Sequence, residues 1–133
     1  TGSELHLAMA AREALTAEGV RVRVVSMPSW ERFESQPATY RDQVLPPSVT
    51  KRVSIESGVS LGWDRWVDNR EGAIMAIDRY GASAPAAEIF EAFGLTVENL
   101  TKVARGVLAG EVCGIISPDS DHPGTTLDAA EAR

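Results

Sequence analysis

The apolar positions of this chain switch between two periods. Leu5, Ala8, Met9, Ala11 and Leu15 recur at helical spacing and end at Glu18-Gly19, where Gly19 suits the residue just past a helix. Ser3 is predicted as the N-cap, with Glu4 in the first turn complementing the helix dipole. Val20-Arg21-Val22-Arg23-Val24-Val25 then alternates with period two, which predicts a strand. Met27-Pro28-Ser29 breaks it, and Ser29 can cap a short helix from Trp30 to about Gln36 that sets Trp30 and Phe33 on one side. Pro37 suits the first turn of another short helix, Ala38 to Leu45, which Pro46-Pro47 terminates. Arg52 to Glu56 alternates again, up to Ser57-Gly58. Leu61 to Val67, with Trp63 and Trp66 three apart, reads as a short helix or turn that buries two rings.

The second half carries the most informative stretch. The apolar run Ala73 to Ile77 is followed by Asp78-Arg79-Tyr80-Gly81-Ala82-Ser83-Ala84-Pro85 and then an amphipathic segment, Ala86 to Phe93, closed by Gly94. Strand, turn-rich loop and helix make half a βαβ unit, with the loop at the carboxyl end of the strand, where open α/β sheets keep their ligands. Thr96 caps a further helix from Val97 to about Leu108, with Glu98 in its first turn, and Val112 to Ile116 suits a last strand. The pattern predicts an α/β fold: a three-layer open sheet, mostly parallel, with helices on both faces. A helix that opens at a loop and feeds a strand normally follows a strand. The first strand is therefore expected to be missing, and the chain to be a fragment or truncated form. Residues 1–108 form the expected domain. Residues 109–133 are an atypical tail, polar, turn-rich and expected to be partly mobile from Ser117 on.

At 133 residues the chain suffices for one domain with a real core. A net charge of −6, spread along the sequence, argues against nucleic acid and anionic membrane as partners, since both require a basic face. The single cysteine, Cys113, excludes an internal disulfide and fits a cytoplasmic protein, and no Cys/His spacing resembles a zinc site. No apolar run reaches transmembrane length, and no signal segment opens the chain.

The candidate chemistry lies at the strand ends. Glu4, Glu56 and Asp78 each fall at a strand end or in a strand-to-helix loop, and a parallel sheet gathers such loops on one edge. Converging carboxylates can do acid/base work or hold a cation. The plainer reading is that each accepts backbone N–H bonds and orders its loop. Gly81 and Ser83, like Gly2 and Ser3, stand before helices and so are possible anion contacts. The GxGxxG and GxxxxGK[ST] phosphate signatures are absent, and capping by Ser83 accounts for its position. His6 has no nucleophile near it in sequence and reads as a surface or packing residue. His122, with Asp119 and Asp121, lies in the tail and could hold only a stray metal. Cys113 in its apolar run reads as an inert, partly buried thiol. No serine stands in Gly-x-Ser-x-Gly. No catalytic residue is expected.

The wording itself resembles a family. Thr1-Gly2-Ser3-Glu4, Arg21 to Glu31 with its Ser-Met-Pro-Ser-Trp, Tyr40-Arg41, Val44-Leu45-Pro46-Pro47, Glu56-Ser57-Gly58, Gly62-Trp63, Asp78 to Pro85, Phe93-Gly94 and Thr96 to Asn99 follow one order over residues 1 to about 108. Together they resemble the C-terminal domain of transketolase. The absent first strand and the tail from about Gly110 depart from that pattern. The resemblance implies a part of a cytoplasmic, homodimeric transferase of the pentose phosphate pathway that moves two-carbon ketol units between sugar phosphates. It also implies that thiamine diphosphate and Mg or Ca sit on the N-terminal and middle domains, that those domains are the partners of this one, and that this segment has a structural or regulatory role and binds no cofactor. Alternatives are the corresponding domain of deoxyxylulose phosphate synthase or of a 2-oxoacid dehydrogenase β-chain, or a free-standing phosphate- or nucleotide-binding module.

Overall fold

A computed structural model describes residues 2–116; Thr1 and the tail with Asp119, Asp121 and His122 lie outside the described residues. A 3-10 turn, Gly2–Glu4, leads into α1 (Leu5–Ala17). Then follow α2 (Trp30–Glu34), α3 (Ala38–Val44), β1 (Val53–Ile55), a 3-10 turn at Trp63–Arg65, β2 (Ala73–Met75), α4 (Ala86–Ala92), α5 (Val97–Ala109) and β3 (Gly114–Ile116). The three strands form one parallel sheet in the order β1-β2-β3, with Val53, Ser54 and Ile55 beside Ala73, Ile74 and Met75, and these beside Gly114, Ile115 and Ile116.

The alternation of β2 divides the interior into two. Met75 and Ile77 face α1 and the α4–α5 region, where Leu7, Ala11, Phe93, Leu95 and Leu100 complete one core. Ile74 and Ala76 face the opposite way, against Met27, Phe33, Trp63 and Val67, with Trp30, Val44, Leu45 and Trp66 around them. The two long connections lie on opposite faces, β1 to β2 through the Trp63 turn and β2 to β3 through α4 and α5. All of Ala73 to Ile77 is buried, as a strand covered on both faces requires. This is the predicted three-layer α/β architecture, with all three described strands parallel.

Local chemistry explains most boundaries. The Ser29 hydroxyl accepts the Arg32 N–H at 3.2 Å, and the Thr96 hydroxyl accepts the Asn99 N–H at 3.2 Å, so both predicted caps form. Gly19, at φ 84°, follows α1, where the Gly19 and Val20 amides donate to Thr16 and Leu15 carbonyls. Where α1 ends, Glu18 meets the Arg105 guanidinium of α5 through both carboxylate oxygens.

Several expectations are corrected. The predicted strand Val20 to Val25 is absent among the described residues, although Val20, Val22 and Val24 are more buried than Arg21 and Arg23. Period-two alternation sets which side chains are covered, whereas a strand also needs a neighbour to pair with. Ser3 does not cap α1: Glu4 occupies that position without a side-chain cap, and the Ser3 hydroxyl donates to Glu4 Oε1 at 3.0 Å. Ser83 does not cap α4 either, because Pro85 takes the N-cap position and leaves Ser83 outside the helix. Pro37 likewise stands at the N-cap of α3 and not in its first turn. Cys113 is exposed, because it precedes the edge strand β3, where Ile115 is also 54% exposed. The strands are also shorter than their apolar runs, 53–55, 73–75 and 114–116 in place of 52–56, 73–77 and 112–116, since pairing ends before hydrophobicity does.

Candidate functional site

The loops that leave the carboxyl ends of β1 and β2 lie together, and two of the three predicted carboxylates meet there. Glu4, only 1% exposed, sits beneath the loop after β1, and its Oε1 accepts the Ser57 N–H at 3.2 Å. Asp78 Oδ1 accepts the Ser60 N–H at 2.8 Å. One segment, residues 57–60, is thus fastened at its start by a carboxylate from the turn before α1 and at its end by a carboxylate from the end of β2. The Ile77 amide adds a third tie by donating to the Gly58 carbonyl at 2.9 Å. Glu56 is half-buried, and its side chain lies over Gly58.

Electrostatics agree with this geometry. Burial pushes the Glu4 carboxyl upward, but hydrogen bonds from Ser57, from its own amide and from the Ser3 hydroxyl outweigh it and hold the group below the usual carboxylate range. Glu4 is therefore a charged acceptor in a nearly water-free place, where charge-assisted hydrogen bonds are strong.

Gly2, Gly81 and Ser83 are exposed. The 78–85 loop is exposed along its length; Tyr80 is 97% exposed, while the Arg79 guanidinium lies over the Phe93 ring at 4.9 Å. His6 is exposed on α1, and its ring stacks on Phe90 with centroids 6.3 Å apart. Among the described residues no group of three His, Cys, Asp or Glu side chains could hold a metal ion. No helix among them is long and apolar enough to cross a membrane.

Two organising residues escaped the sequence reading. The Arg52 guanidinium donates to the carbonyls of Val49, Trp66, Leu45 and Pro46 at 2.8 to 3.3 Å, tying the loop before β1 to the Trp63 turn. Arg23 Nη1 donates to the Gln43 and Val44 carbonyls at 2.7 and 3.2 Å and so completes the C-terminal end of α3. The available signal was chemical: a helix ended by Pro46-Pro47 leaves carbonyls that need a donor.

Fold and loop edge define the class: a doubly wound α/β domain whose loop-edge carboxylates Glu4 and Asp78 are engaged by its own backbone amides. A family profile for the Transketolase-like TK C-terminal domain matches residues 1–96. The chain is 58% identical over 108 residues to a transketolase of Geobacillus stearothermophilus and 53% identical over 108 residues to one of Halalkalibacterium halodurans. In both cases the match takes in 81% of this chain and 16% of the relative. A crystal structure of a transketolase variant from Pichia stipitis superposes with a TM-score of 0.73 at 32% identity, covering 90% of this chain and 17% of that one. A transketolase of the same organism in complex with sedoheptulose 7-phosphate gives a TM-score of 0.69 at 30% identity over the same shares. The chain belongs to the transketolase C-terminal domain family. It spans about one-sixth of the length of the transketolases it matches.

Proposed function

We propose that this chain is the structural C-terminal domain of a transketolase and carries none of the chemistry itself. The intact enzyme would be a cytoplasmic homodimer that transfers two-carbon ketol units between sugar phosphates with thiamine diphosphate and a divalent metal. The observation that supports a structural role is the fastening of residues 57–60. Glu4 and Asp78, the best candidates for acid/base work, each accept a backbone N–H and order one loop.

The residues present do not fit thiamine diphosphate. Its diphosphate needs a divalent cation, and no cluster of metal-ligating side chains stands among the described residues. The possible anion contacts at Gly2, Ser3, Gly81 and Ser83 stay outside the ends of α1 and α4, and α4 is a seven-residue helix that Pro85 opens without an N–H. In the intact enzyme the N-terminal and middle domains would hold the cofactor. Leu61, 82% exposed, and Tyr80 stand on the loops after β1 and β2 and suit contact with those domains. The purified chain, supplied with thiamine diphosphate, Mg²⁺ and a ketose phosphate–aldose phosphate pair, is expected to give no ketol transfer above the protein-free rate. Turnover proportional to its concentration would overturn the proposal.

A further inference from the structure

Ala73 to Ile77 is buried throughout and contains no charge, proline or glycine. Such a segment pairs readily with another chain wherever its backbone stands unpaired, so both of its edges need cover. Toward β1 the cover is complete: the Ala73 amide donates to the Arg52 carbonyl and the Glu56 amide to the Met75 carbonyl, both at 2.9 Å. By the alternation of a parallel ladder, Ile74 and Ala76 turn their peptide groups the other way, to β3. There the Gly114 amide donates to the Gly72 carbonyl at 2.9 Å, and the Ala76 amide lies 3.5 Å from the Ile116 carbonyl. β3 has the make-up of an edge strand: it is three residues long, opens with a glycine and is followed in sequence by Pro118.

Three local features fasten this edge strand. Gly110, at φ 76°, turns the chain out of α5, and the Glu111 and Val112 amides both donate to the Gly106 carbonyl, at 2.8 and 3.2 Å. The Val112 side chain fills the space over Gly106, where a Cβ would lie 2.4 Å from it. Gly114 takes φ 85° as the chain enters the sheet, a conformation that glycine adopts without steric cost. Beyond these ties the segment is lightly held, with Glu111, Cys113 and Ile115 all exposed. We infer that residues 110–116 are a latch on the edge of β2. Closed, it keeps the sheet within one molecule; released, it leaves that edge to a second copy of this chain. A second copy is the fitting occupant because the bared segment is apolar and uncharged, and like segments of that kind pair with one another.

The test releases the latch in the full chain by two routes. Val112→Asp sets a charge against Gly106, whereas Gly114→Ala leaves every packed side chain in place and strains only the left-handed turn. Amide exchange is followed residue by residue, with sedimentation alongside, at low micromolar and at millimolar protein. In dilute solution the Ile74 and Ala76 amides, which face β3, are expected to exchange faster by about tenfold or more. The Ala73 and Ile77 amides, which donate to the Arg52 and Gly58 carbonyls, should stay within about twofold of the parent. In concentrated solution the variants should sediment as dimers, and Ile74 and Ala76 should regain protection. Equal acceleration of all four amides, or no acceleration in either variant, would overturn the latch. Variants that stay monomeric at the higher concentration, with Ile74 and Ala76 still exchanging fast, would overturn the second copy as the occupant.

Discussion

Glu4 shows how a residue that looks catalytic can serve the fold. It is buried, charged and bonded to Ser57 across 53 positions of sequence, so the loop after β1 depends on a residue from the first turn of the chain. Its carboxyl titrates lower in the folded than in the unfolded protein. The stability this supplies is therefore present above the unfolded value of about 4.3 and is lost as the pH falls through the folded value. Glu4→Gln should lower stability at pH 7 by about 1–3 kcal/mol in denaturant titrations. It should also flatten the loss of stability below about pH 4.5 that the parent shows. A variant with the same acid limb as the parent would remove Glu4 as its cause. Glu4 and Asp78 could be read from the sequence, with Glu56, as loop-edge carboxylates, because Asp78 follows a strand and Glu4 opens a helix. Their partners could not: the Ser57 and Ser60 amides are brought to them only by parallel pairing of β1 with β2. Arg52 was less legible still, since the carbonyls it collects range from Leu45 to Trp66.

At the scale of elements, capping separates local signals from shifted ones. Ser29 and Thr96 cap where expected because an extended residue with an oxygen side chain directly before a helix suffices. Ser3 and Ser83 miss by a residue or two, since Glu4 and Pro85 take the cap positions. Thr96→Ala should therefore cost about 1 kcal/mol, whereas Ser83→Ala should stay within about 0.5 kcal/mol, both read from urea midpoints. Gly106 makes a second point. It is buried in α5, and a Cβ there would run into the Val112 side chain, so Gly106→Ala loses more to overpacking than helix propensity returns. A net destabilisation of about 1–2 kcal/mol is expected; a stabilised variant would mean that the 112 segment does not pack on α5. The strand predicted at Val20 to Val25 belongs here too. Its alternation is visible in its burial, but pairing is a property of two segments and no single run encodes it.

On the scale of the whole molecule, two cores on opposite faces of a short parallel sheet account for the fold, and Glu4 and Asp78 hold its loop edge together. The architecture was legible because helical and alternating periods succeed one another in βαβ order, and the family wording was legible in Asp78 to Pro85. What that stretch does was not, because its meaning depends on Ser60 and Phe93, which its residues meet only after folding. The most direct measurement replaces the matched 108 residues of the Geobacillus stearothermophilus transketolase with those of this chain. Glu4→Ala and Asp78→Ala are then introduced into the chimera, and kcat and Tm are measured together. A structural domain predicts a lower Tm for each variant, with kcat held within about twofold while the protein is folded. A fall in kcat of about a hundredfold at unchanged Tm would place these carboxylates in the chemistry and contradict the account.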